Sequence, residues 1–160
     1  MPLVIADSDP DWPRLAAREG AAVSGTLGGA PVEHVGSTAV PGLDAAPTVD
    51  LLAGVASPDD VEASTLAAMG YVEAPRDGAG RVFWKGTPAF HTYHLHLVPA
   101  GGRVWDRYLA FRDRLRADLA LAERYAHEKR VAVRQHAGDP DAYAAAKASF
   151  IDRALADGPV

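Results

Sequence analysis

Residues 32–52, VEHVGSTAVPGLDAAPTVDLL, decide how the chain is read. Two apolar segments, Val32 to Gly36 and Thr48 to Val55, flank a Gly-Ser-Thr turn and a loop punctuated by Pro41-Gly42. Short apolar runs bounded by Gly and Pro predict strands. The second run is almost continuously apolar, which is the pattern of an inner strand covered on both faces. Asp50 is its one charge. A carboxylate there needs a partner, hydrogen bonds or a metal, so Asp50 is a candidate site residue. In the first strand, alternation puts Val32, His34 and Gly36 on one face and Glu33 and Val35 on the other. Gly36 lets backbone approach a ligand closely, and Ser37 and Thr38 add hydroxyls and successive N–H groups, a nest for an anion. The same residues also read as a plain capping turn.

Working outward, DSDPD at 7–11 supplies turn formers and a cap, Asp9 or Asp11, for a helix running from Trp12 to about Leu27 with Pro13 in its first turn. Downstream, Ser57-Pro58 opens a second helix, Asp59 to Met69. Strands follow at Tyr71–Glu73, Arg81–Lys85 and His91–Val98, with a loop at 75–80. Short connections require these three to pair antiparallel. In the last of them His94, His96 and Val98 share a face, so two imidazoles project side by side. That spacing is used by metal pairs and by ordinary half-exposed strands alike. After Pro99 the pattern is helical: one helix to about Ala117, another from Leu119 to Val133 that either continues or kinks away from it, and a third restarting at Asp139-Pro140. Apolar stripes mark their core faces, and each sets polar residues beside the stripe: Arg112 and Arg116, Tyr125 and Lys129, Tyr143 and Lys147. The order of elements implies an α/β (α+β) domain, a mixed sheet with flanking helices, with residues 1–100 as core and 101–160 as a C-terminal helical bundle packed on it.

Bulk properties narrow the function. A chain of 160 residues without cysteine can bury a sizeable core and has no disulfide, thiolate nucleophile or Cys-based zinc site. Its net charge is −5, and Lys plus Arg number 5 against 12 acids in residues 1–102 but 11 against 9 thereafter. The acidic front argues against a nucleic-acid face. No apolar run approaches the length of a membrane span, and MPLVIADSDPDW does not resemble a signal peptide. The expectation is a soluble, cytoplasmic protein whose partner is a small molecule.

Several linked pieces then carry a resemblance: Glu33 to Leu43, Pro47 to Leu51, Gly70-Tyr71, Arg81 to Lys85, His94-Leu95-His96 and Phe111 to Arg116. Their order, from the D-x-D-P-x-W opening to the A-K-x-x-F-I close, resembles the GrpB family. That resemblance implies the nucleotidyltransferase superfamily with its polymerase-β-like core, and relatives fused behind dephospho-CoA kinase. It also implies Gly36-Ser37 as a phosphate-facing pair and Asp50 as the first metal-binding acid. Active members of the superfamily place a second acid two residues on and a third on a later strand. Here those places hold Leu52 and the imidazoles of His94 and His96, and Ala46 replaces the family's lysine. One acid with imidazoles is a poor cage for Mg²⁺ and suits Zn²⁺, Mn²⁺ or a metal-free anion better.

The candidate catalytic and metal-holding set is therefore Asp50, His94 and His96. Expected substrate contacts are His34, Gly36, Ser37, Thr38, Arg81, Lys85, Arg112, Tyr125 and Lys129. Three functions fit this set. The first is a nucleotidyltransferase-like enzyme acting on a nucleotide or a small phosphorylated or amino-bearing metabolite, with a divalent metal as its cofactor. The second is a non-catalytic binding module, and the third a cyclase, ligase or hydrolase using the same cleft without two-metal chemistry.

Overall fold

The computed structural model describes residues 4–76 and 80–156; the first residues of the opening segment and the tip of the expected 75–80 loop lie outside them. In chain order the elements are α1 (Trp12–Thr26), β1 (Val32–Val35), a 3-10 turn (Ser37–Ala39), β2 (Val49–Val55), a second 3-10 turn (Pro58–Asp60) and α2 (Ala63–Ala67). β3 (Val72–Glu73), β4 (Arg81–Thr87), β5 (Phe90–Pro99), α3 (Arg103–Ala117), α4 (Leu119–Gln135) and α5 (Pro140–Ala156) complete it. The strands form a mixed sheet in the order β1-β2-β5-β4-β3. β2 and β5 pair in parallel, and every other pair is antiparallel. The apolar β2 thus lies inside the sheet, as its composition requires.

The two sheet faces are covered by different parts of the chain. Leu51, Ala53, Phe83, Leu95 and Leu97, all at most 1% exposed, pack against Trp12, Ala16 and Val23 of α1, Leu66 of α2 and Tyr71. On the other face Val35, Leu52 and Val98 meet Trp105, Tyr108 and Leu109 of α3. A third cluster joins Val40 and Leu43 of the loop to Phe111, Leu115, Tyr125 and Phe150 of the C-terminal helices. There Tyr125 packs edge-on to Phe111 at 5.1 Å and stacks on Phe150 at 5.0 Å. Burial of each large side chain in these clusters contributes roughly 1.5–3 kcal/mol, which ties the helical tail to the sheet.

Local chemistry moves several boundaries. The helix expected over Asp59 to Met69 breaks into the Pro58–Asp60 turn and the short α2, with Val61 and Glu62 extended between them. The carbonyls of Pro58 and Val61 instead accept hydrogen bonds from the Arg81 guanidinium. β1 ends at Val35 because Gly36 turns away at φ 74°. β4 and β5 extend beyond their expected ends into a hairpin. α3 and α4 are separate helices: Asp118 is extended and its carboxylate caps α4 by accepting from the Leu121 N–H at 3.0 Å. Asp11 precedes α1 but makes no side-chain cap.

Candidate functional site

Parallel pairing of β2 with β5 sets Asp50 beside His94 and Leu52 beside His96, all four on the face covered by the C-terminal helices. Asp50 Oδ1 lies 3.3 Å from His96 Nε2 and 3.7 Å from His94 Nδ1. The other ring nitrogens are also engaged: His96 Nδ1 is 3.5 Å from the Tyr108 hydroxyl and His94 Nε2 is 2.8 Å from His91 Nδ1. His91 in turn stacks on Trp84 at 4.4 Å. Gly36 closes the other side of Asp50: its φ of 74° favours glycine, and a Cβ there would stand 2.5 Å from Asp50 Oδ2. The close approach expected of this glycine is made to the aspartate.

Above this couple opens a cleft of about 400 Å³. Its floor is Gly36, Asp50 and His96, and its walls come from Tyr108 and Phe111 of α3, Tyr125 of α4, and Lys147 and Ile151 of α5. Such a hollow, mostly apolar with a few convergent polar groups, is the ordinary form of a small-molecule site. Burial works against the Asp50 carboxylate, but the hydrogen bond and charge of His96, with Lys147 and His94 beyond, hold its pKa below the usual range. Burial pushes His94 down despite the attraction of Asp50, and pushes the Tyr108 phenol up. The phenolic oxygen of Tyr125 and the charge of Asp50 raise Lys147 in spite of its burial. Asp50 is therefore an anion, Lys147 a cation and Tyr108 a neutral donor at neutral pH.

Of the residues expected to meet substrate, Gly36, Tyr125 and the Asp50–His96 couple line this cleft, and His94 touches Asp50 at its margin. Lys129 stands behind the cleft with its ammonium donating to Ser37 Oγ at 2.7 Å, so Ser37 is tied to α4. The others sit elsewhere. His34 and Arg81 point to the α1/α2 face: His34 Nε2 lies 2.8 Å from Thr38 Oγ1, and Arg81, 4% exposed, is bound to Glu73 at 2.8 and 3.1 Å. Lys85, on that same face, pairs with Glu19 at 2.8 Å. Arg112 joins α3 to β1 through Glu33 at 2.8 Å and the His34 carbonyl at 3.2 Å. These five residues, Thr38 included, were expected at the site but do not line this cleft, and their polar atoms are used in holding elements together. Among the polar residues of the cleft lining, Arg107, Tyr108 and Lys147 were not assigned by sequence reading. Lys147 had a signal in the Tyr143–Lys147 spacing; Tyr108 was hidden within the apolar stripe of α3.

The donor set does not make the metal cage of a two-metal transferase. The place of a second carboxylate holds Leu52, fully buried with Val35 and Val98. Both imidazoles turn a nitrogen toward the same Asp50 oxygen, and among the described residues no group of three His, Asp or Glu side chains converges on a position for one ion. What the geometry offers is a carboxylate–imidazole couple able to hold or move a proton at a cleft floor.

The fold is that of an α/β protein with a mixed five-stranded sheet and a helical cover over one face. The family model described as GrpB protein matches residues 2–157, and the chain belongs to that family. A UPF0157 protein of Pseudomonas aeruginosa is 36% identical over 94% of this chain, which spans 65% of that relative's length. The glutamate-rich protein GrpB of Alkalihalophilus pseudofirmus is 30% identical, with 96% of this chain and 94% of that one aligned. The crystal structure of the conserved protein GrpB from Enterococcus faecalis superposes with a TM-score of 0.81 at 29% identity, covering 96% of this chain and 98% of that one. A chain in the structure of the GLD-2/RNP-8 complex shares the fold alone, with a TM-score of 0.55 at 13% identity over 89% of this chain and 51% of that one.

Proposed function

We propose that the cleft binds a nucleotide or a small phosphorylated or amino-bearing metabolite and that the Asp50–His96 couple exchanges a proton with it. The observation that carries this reading is Asp50 itself, an anion set in an otherwise apolar inner strand, 3.3 Å from an imidazole and open to a hollow of about 400 Å³. A carboxylate that only held the fold together would be closed off by its partners. His96 relays charge between Asp50 and the Tyr108 hydroxyl, a path along which a proton can be taken up or returned. Tyr108, Phe111 and Tyr125 offer rings against which a base or an aliphatic chain packs.

The reading is metal-independent. Calorimetry against a panel of nucleoside mono- and triphosphates and amino-bearing metabolites, with and without EDTA, tests it: binding that survives chelation and is lost in Asp50→Asn supports it. Binding indifferent to Asp50→Asn overturns it. A binding module without turnover is the second reading, favoured by Leu52, which fills the place of the second acid with an apolar side chain. The two part on whether any ligand of the cleft is converted to product over hours of incubation. Nucleotidyl transfer itself would be read as release of pyrophosphate from a nucleoside triphosphate.

A further inference from the structure

One ammonium, Lys147, lines the cleft and a second, Lys129, stands behind it, neither with a carboxylate of its own among the described residues. Lys147 lines both the cleft and a smaller hollow of about 30 Å³ between α4 and α5, which Lys129, Tyr125 and Tyr143 also line. Lys129 is 4% exposed, and its ammonium donates only to uncharged acceptors, Ser37 Oγ at 2.7 Å and the Asp44 carbonyl at 3.2 Å. The neighbouring acids are taken: the Asp44 carboxylate by Arg130 and Glu128 by Arg153. Among the described residues neither lysine has a carboxylate within 4.0 Å. The opposite charge, Asp50, faces the same cleft from the sheet.

Lys129 is a buried cation whose ammonium has no carboxylate partner, which is costly, so negative charge brought by a ligand to the adjoining Lys147 is favoured. Burial, and after it the charge of Lys147, brings Lys129 down to about 7, as expected of an ammonium that lacks an anion. A phosphate dianion fits the layout poorly. The hollow has room for little more than one water-sized group, and Asp50 repels a dianion while attracting an amine. The cleft thus presents one acid, Asp50, and one ammonium without a carboxylate partner, Lys147, among the apolar side chains of Val104, Phe111 and Ile151, while the Arg107 guanidinium that also lines it is paired with Asp152.

We propose that the cleft takes a zwitterionic amino-carboxylic acid, its carboxylate held at Lys147 and its amine at Asp50 and His96. This rests on the small-molecule reading above and narrows its ligand class. The test is an NMR titration of the full chain with γ-aminobutyrate, δ-aminovalerate and ε-aminocaproate, against chain-matched alkanoates and alkylamines, inorganic phosphate and AMP. At least one amino acid should bind about tenfold more tightly than its monofunctional counterparts. Lys147→Met should abolish the preference for that amino acid over its chain-matched alkylamine, and Lys147→Arg should restore the preference. Thermal melting of each variant establishes that it is folded. No preference for the amino acids, or a folded Lys147→Met that binds them as well as the parent, overturns the proposal. If AMP or phosphate occupies the cleft and the amino acids do not, this inference falls and the small-molecule reading stands; if no probe shifts cleft resonances, both fall.

Discussion

The two faces of the sheet treat polar side chains in opposite ways. On the α1/α2 face the charged and imidazole side chains expected at the site are closed by partners: Arg81 by both oxygens of Glu73 and two carbonyls, Lys85 by Glu19, which also takes the Tyr71 hydroxyl, and His34 by Thr38. On the α3–α5 face Asp50 has only longer contacts, at 3.3 and 3.7 Å, and Lys147 has no carboxylate beside it among the described residues. The chemical types are the same on both sides. What separates architecture from a site is whether the polar group's capacity is exhausted by the fold or left facing a hollow.

That contrast can be broken by substitution, and stability gives the first scale. Leu52→Asp should cost the most, at least about 4 kcal/mol in urea unfolding, because it buries an unpaired carboxylate between Val35 and Val98. Recovery of that loss on adding Mn²⁺ would mean this face retains a metal cage after all. Arg81→Met follows at about 3 kcal/mol, since it strands Glu73 and two carbonyls, yet ligand titrations of the cleft should be unchanged. A loss of binding in that variant would erase the distinction between the faces. Gly36→Ala comes next, about 2 kcal/mol for a side chain at positive φ, and it should also displace Asp50 and weaken cleft binding.

Smaller effects sharpen the comparison. Burial, only partly offset by Asp50, brings His34 from 6.5 down to about 4, so the unfolded chain takes up a proton before the folded one. Stability from this group is complete above about pH 6.5 and declines as the pH falls toward 4, by on the order of 1 kcal/mol after its partial exposure is discounted. Comparing unfolding at pH 7 and pH 5, His34→Gln should show a shallower decline than the parent. Asp50→Asn should alter stability least, by less than about 1 kcal/mol, and binding most. A large destabilisation with intact binding would move Asp50 to the architectural side.

Much of this was legible before any coordinates. The apolar run of β2, the glycine turn at Gly36 and the shared face of His94 and His96 follow from the two-residue period of a strand, and the Asp50–His96 couple follows once β2 and β5 are neighbours. Alternation, however, gives two faces without saying which helices cover each. Arg81, Lys85 and His34 therefore looked equivalent to Asp50, although they lie across the sheet from it. The helix over 59–69 failed for a related reason: its carbonyls serve a guanidinium twenty residues away in sequence, which no local propensity reports. Lys147 was visible only as a spacing, because its importance comes from what does not pair with it.

The parallel join of β2 to β5 also governs tempo. Parallel neighbours cannot be linked by a tight turn, and here the acid and its imidazole are 46 positions apart along the polypeptide. Bringing so distant a pair together carries a closure entropy that hairpins such as β4–β5 avoid, and contacts of that kind slow folding. The polypeptide thus gains its chemistry together with its most remote pairing, and a chain that has formed only its local hairpin has no acid–imidazole couple to misuse.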